Sequence, residues 1–92
     1  MISVGIDVSK GKSTICMLKP YGELIKKPFE VEHTENELED LVRLLQSFDT
    51  EIRVVLEATG IYHIPVLNYL QENQIFVAVI NPYEMKKYSY RG

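Results

Sequence analysis

Two acidic residues are spaced so that they could work as a pair. Asp7 lies near the end of the run Ile2-Ser3-Val4-Gly5-Ile6-Asp7-Val8, and Glu57 closes the run Ile52-Arg53-Val54-Val55-Leu56-Glu57. If these runs are neighbouring strands, ~4.8 Å apart, their carboxylates can share a divalent cation. Phosphodiester cleavage uses such an arrangement. Two metals about 4 Å apart activate the attacking oxygen and neutralise the leaving one, and carboxylates hold them because Mg²⁺ prefers hard oxygen ligands. Spacing alone leaves a plainer option open, in which Asp7 serves a turn and Glu57 a helix N-terminus. Lys10 and Lys12 fall in the turn after Asp7 and either meet phosphates or stay solvated. His63, six positions beyond Glu57, either contacts a substrate or hydrogen-bonds locally. Lys86, Lys87 and Arg91 begin a basic surface of the kind that meets nucleic acid. Tyr62, Tyr83, Tyr88 and Tyr90 read as half-buried tyrosines before base-stacking ones, His33 as a surface residue, and Cys16 as a packed thiol.

The elements that must position these side chains follow from periodicity. Ile2, Val4, Ile6 and Val8 alternate with Ser3, Gly5 and Asp7, which is the period of a strand. Ser9-Lys10-Gly11 is a turn, and Ser13 to Leu18 reads as the antiparallel partner. After a second turn at Pro20-Tyr21-Gly22, Leu24 to Val31 makes a third strand, with Lys26, Lys27 and Pro28 marking a protected sheet edge. Thr34 and Glu37 have capping-box spacing, and Leu38, Leu41, Val42, Leu45 and Phe48 recur at helical intervals. A buried strand ends at Glu57. A second helix opens at Thr59-Gly60 and runs to about Glu72, with Ile64, Leu67 and Leu70 inward and Pro65 tolerated in the first turn. Ile75 to Ile80 is an apolar strand of the sort covered on both faces, and Asn81-Pro82 with Glu84 starts a third helix. The order βββαβαβα predicts an α/β fold with a mixed five-stranded sheet. A three-stranded antiparallel meander joins two parallel strands, the fourth strand lying beside the first. It is the order of the front half of a ribonuclease H-like domain.

Composition narrows the class. The chain has 92 residues, 46% hydrophobic and 25% charged, as in one folded domain and unlike a disordered or low-complexity chain. A single cysteine rules out an internal disulfide framework and a multi-thiolate zinc site. No apolar run approaches the ~20 residues of a membrane span, and a secretory leader is not evident, so a cytoplasmic protein is expected. The net charge of -3 is unevenly spread: five lysines lie before Phe29, eight acids and one arginine between Glu30 and Glu51, and a nearly balanced set follows. That is unlike a uniformly basic nucleic-acid binder, and the acidic block reads as the wet face of a helix.

Gly5-Ile6-Asp7-Val8-Ser9-Lys10, followed fifty residues on by Glu57-Ala58-Thr59-Gly60-Ile61-Tyr62-His63 and then by Asn81-Pro82, resembles the DEDD transposases of bacterial insertion sequences, the group that includes the Piv-type DNA invertases. The resemblance runs from Ile2 to Gly92. It implies a RuvC-like ribonuclease H fold and a tetrad of Asp, Glu, Asp and Asp holding Mg²⁺ (or Mn²⁺), with Asp7 matching the first member and Glu57 the second. The third and fourth members have no counterpart here, nor does the family's distal serine-bearing domain. On this resemblance residues 1–92 are expected to be the N-terminal portion of a RuvC-like catalytic domain, truncated, with half of a metal site and no nuclease activity of its own. The partners implied are the DNA of a mobile element and its target, with a structured RNA encoded by the element in many family members. Incomplete cover of the sheet predicts self-association into a homo-oligomer.

Two other readings compete. An actin- or sugar-kinase-like ATPase fragment shares the opening order of elements, and Asp7, Ser9, Lys10, Gly11 and Ser13 could pass for its phosphate-cradling hairpin. Against it, no second glycine follows closely after Asp7. A non-catalytic interaction module with the acidic helix as its docking face is the other. Gly11-Lys12-Ser13 mimics the end of a P-loop, but a strand follows it where a P-loop needs a helix.

Overall fold

The structure, a computed structural model, describes residues 1–58 and 60–81. The expected third helix, with Lys86, Lys87, Arg91 and three of the four candidate tyrosines, lies outside the described residues.

Five strands form one sheet in the order β3-β2-β1-β4-β5. They are β1 (Ile2–Ser9), β2 (Lys12–Leu18), β3 (Phe29–Glu32), β4 (Ile52–Glu57) and β5 (Val77–Ile80). β1, β2 and β3 pair antiparallel, whereas β4 runs parallel to both β1 and β5. This is the mixed sheet the sequence predicts, with β1 at its centre. The β1–β2 hairpin turns on Gly11, whose φ of 77° suits a residue without a Cβ.

The helices α1 (Glu35–Gln46) and α2 (Ile64–Glu72) contribute to a single core. Leu38, Leu41, Val42 and Leu45 of α1 and Val66 and Leu70 of α2 bury themselves with Val4, Ile6, Ile15, Met17, Val54 and Leu56 of the sheet. Thr34 caps α1, its hydroxyl accepting from the Glu37 amide at 3.4 Å, which satisfies one of the open N–H groups of the first turn. The acidic residues of α1 point away from the core, and Arg43 pairs with Glu39 one turn back.

Three expectations need correction. The third strand is shorter than Leu24 to Val31. Leu24 makes an isolated bridge to Leu18 and the Ile25 amide still donates to the Met17 carbonyl at 3.0 Å, after which the chain leaves the sheet until Phe29. Pairing of Leu18 with Leu24, but of Ile15 with Phe29, leaves two extra residues on the outer chain, which bulges after Ile25. Pro28 has no N–H to give a ladder, and Lys26 folds its ammonium over the Phe29 ring, 4.3 Å from the centroid. The second helix starts at Ile64: Gly60 has φ 72°, a conformation that no helix continues through, and a turn over 60–63 precedes the first helical residue. Its buried residues are Val66 and Leu70, and Ile64 is exposed. Finally, β5 starts at Val77 and is not covered on both faces by the described residues: Val77 is buried, Ala78 and Val79 are exposed, and Phe76 just before it is 85% exposed.

His33 is not a surface residue either. Its Nε2 lies 2.7 Å from the hydroxyl of Ser13, the one buried polar side chain among the described residues, and its amide donates to the Gly11 carbonyl. Burial pushes the imidazole below its ordinary value of 6.5. The unfolded chain therefore takes up the proton first as pH falls. Stability is complete above about pH 6.5, declines as pH drops from there toward the folded-state value, and is flat with respect to this group below it. Denaturant midpoints measured from pH 7.5 to 5.5 should show that decline, and His33→Gln should flatten it. An equal slope in the variant would assign the decline to other groups.

Candidate functional site

The alternation that buries Ile6 and Leu56 under the helices sends Asp7 and Glu57 to the opposite face of the sheet. There the register is direct: Asp7 is the strand partner of Glu57 across the parallel β1–β4 pair. The same row continues in both directions, from Asp7 to Thr14 on β2 and Glu30 on β3, and from Glu57 to Ile80 on β5. One residue from each strand thus lies in line across the sheet, with Asp7 on the central strand. Both acids sit at the carboxyl ends of their strands, where the sheet opens to solvent.

No described helix covers this face. An open depression of about 570 Å³ lies against it, lined by Asp7, Glu57, Thr14 and, on its apolar floor, Gly5, Cys16, Val55 and Ile80. Gly5 pairs with Cys16 on one side and Val55 on the other, one row below the acids. A Cβ built on it would meet nothing within 4 Å, so the glycine leaves room and no packing demands it. Cys16, read from the sequence as a packed thiol, belongs to this floor and not to the core.

The remaining candidates are placed as follows. Lys10 is exposed in the hairpin turn. Lys12 is on the same face as Asp7, but its Nζ contacts Glu30 Oε2 at 2.9 Å. That contact and the nearby charge of Glu30 hold the ammonium above its ordinary value, so it is a charged group already engaged. His63 is the N-cap residue of α2, yet its side chain caps nothing. Its Nδ1 is enclosed and has no hydrogen-bond partner among the described residues, so the local bond anticipated for it is not formed. Tyr62 is 45% exposed. Sequence reasoning missed Thr14 and Gly5. The signal was present: a two-residue hairpin loop that pairs Ser9 with Lys12 fixes Asp7 opposite Thr14 and Gly5 opposite Cys16 by counting alone.

The donor set suits a hard cation. Two carboxylates in register present oxygen ligands to open space, leaving most of the coordination sphere for waters, which Mg²⁺ gives up reluctantly. Among the described residues no group of three or more His, Cys, Asp or Glu side chains is arranged to hold a metal, so the pair is all that this sheet offers. No helix among them is long and apolar enough to cross a membrane.

Comparison with known proteins agrees with this fold. Residues 4–92 match the family model of the IS110-type DEDD proteins, described as a transposase. No curated protein matches the sequence. Among solved structures, RuvC of Thermus thermophilus is similar with a TM-score of 0.62 at 19% identity, over 89% of this chain and 62% of that one. The same RuvC in complex with a Holliday junction substrate is similar with a TM-score of 0.62 at 16% identity, over 95% and 68% of the two chains. Pelota of Archaeoglobus fulgidus is similar with a TM-score of 0.56 at 20% identity, over 86% of this chain and 26% of that one. Such identities speak to the fold, which is the RuvC-like, ribonuclease H-like sheet. This chain spans 62% of the length of the first RuvC structure.

Proposed function

The chain belongs to the DEDD transposase family, and from that membership we propose that it supplies the first half of a metal-dependent DNA-cleaving site, with Asp7 and Glu57 as its two ligands. The observation that carries the reading is the direct register of Asp7 with Glu57 on the uncovered face of the sheet. A divalent ion bound there would activate a water or hydroxyl and neutralise charge on the scissile phosphate. The chain's own residues do the rest. Asp7 and Glu57 offer oxygens from fixed backbone positions on adjoining strands. Gly5 keeps the approach below them clear. Lys10 at the hairpin tip and Lys12 beside the row are near enough to steer a phosphate backbone, Lys12 by exchanging Glu30 for a phosphate oxygen.

DNA is the partner this reading requires, and the RuvC fold seen with a Holliday junction supports it. An element-encoded RNA rests on the family likeness alone, and self-association on the incomplete cover of the sheet. We take residues 1–92 as part of a larger catalytic domain: two carboxylates hold Mg²⁺ loosely, and positioning both metals and a phosphate needs further ligands. The pure 92-residue chain is therefore expected to leave supercoiled DNA intact in Mg²⁺ or Mn²⁺, whereas a longer protein containing it nicks that DNA. Metal-dependent nicking by residues 1–92, abolished by Asp7→Ala, would overturn the half-site assignment.

A further inference from the structure

We propose that Thr14 is a positioning residue for the Asp7 carboxylate, a role that rests on the metal-site reading above and goes beyond it. Asp7 has two cross-strand neighbours in its row, Glu57 on β4 and Thr14 on β2. Directly opposed residues on an antiparallel pair have Cβ atoms ~4.5–5.5 Å apart. The Thr hydroxyl oxygen lies one bond beyond Cβ and the Asp carboxylate oxygens two, so rotation about χ1 of each brings hydroxyl and carboxylate to hydrogen-bond distance without moving the backbone. Thr14 is exposed on this face, lines the depression beside Asp7 and makes no side-chain hydrogen bond of its own with the described residues.

A threonine hydroxyl has one proton to give, and Thr14 has a carboxylate on either side: Asp7 across β1 and Glu30 across β3. The two differ in what they already hold. The Lys12 ammonium lies 2.9 Å from Glu30 Oε2, so that carboxylate has a charged donor, whereas the Asp7 carboxylate has no side-chain partner among the described residues. The Thr14 proton therefore goes to Asp7. A carboxylate accepts from about four lone-pair directions, so one oxygen receives the hydroxyl while the other faces the cation. Charge-assisted bonds of this kind orient metal-ligating carboxylates, and their loss commonly weakens metal affinity by about 10–100-fold.

A threonine chosen only because it suits a strand would tolerate valine, which has the same shape and β-preference. The test measures Mn²⁺ affinity of the 92-residue chain by electron paramagnetic resonance for the wild type, Thr14→Val, Thr14→Ser and Asp7→Asn, with thermal unfolding recorded for each. The expected result is an affinity at least tenfold weaker in Thr14→Val and restored to within about twofold in Thr14→Ser, with melting temperatures of both close to the wild type. Equal Mn²⁺ affinity in wild type and Thr14→Val, while Asp7→Asn is weaker, overturns the role of Thr14 and leaves the metal site standing. A wild type that binds Mn²⁺ no better than Asp7→Asn overturns both. Failure of serine to restore affinity also counts against the hydroxyl.

Discussion

Asp7→Asn and Glu57→Gln should each lower DNA cleavage by at least ~10³-fold, about 4 kcal/mol of transition-state stabilisation, in a protein that carries this chain within a complete catalytic domain. Both substitutions keep size and polarity while removing charge. Neither residue lies in the core, so the fold should survive them. The two carboxylates are strand partners, and if they share the same cations, as proposed, their losses should not add. The double variant is expected to cleave about as slowly as the slower single one, as residues do when they act as a unit. Single-turnover nicking rates for the four proteins give the answer. Additive losses, with the double variant another ~10³-fold down, would show two independent tasks and would dissolve the shared site.

The second large effect concerns stability. Leu56 and Val55 are neighbours on β4 with opposite destinations: Leu56 is 0% exposed under the helices, and Val55 is 36% exposed on the floor of the open depression. Leu56→Ala should cost about 2–5 kcal/mol, through lost transfer energy and the cavity left in the core. Domains of this size are stable by ~5–15 kcal/mol, so a loss of that order approaches unfolding. Val55→Ala, beside open space, should cost less than about 1 kcal/mol. Urea midpoints at unchanged slope measure both. A loss at Val55 as large as that at Leu56 would mean that something in the 92-residue chain packs on the face described as bare.

Much of this arrangement can be read from residue order, and what cannot has identifiable causes. β1 follows from strict two-residue alternation, α1 from helical repetition, β2 from the turn that precedes it and β4 from its short apolar run, and the turn at Lys10-Gly11 then counts Asp7 into line with Thr14. The misreadings cluster where pairing or a single torsion overrules pattern. Leu24 to Val31 has strand composition, but a bulge after Ile25 takes Lys26, Lys27 and Pro28 out of the ladder. Ile64 is spaced like an inward residue from Leu67 and Leu70, but it is the first residue of the helix and stays exposed while Val66 is buried. The bond between Ser13 and His33 joins residues twenty apart and depends on which face of β2 the helices cover, information that no local window contains. Cys16 was misplaced for the same reason: alternation says that it opposes Ile15, but not which of the two is inside.

The parallel pairing of β1 and β4 also governs where this gene can change length. Side chains alternate every residue, so one codon inserted between Ile52 and Glu57 would swing the glutamate beneath the helices and bring a leucine or valine to the water. The same codon added to the exposed Asp49–Glu51 connector, ahead of the strand, would leave that phase untouched. Homologues of unequal size should therefore carry their gaps before position 52 and none from there to position 57, and a peptide tag or reporter spliced into the connector should leave the register of Asp7 with Glu57 intact.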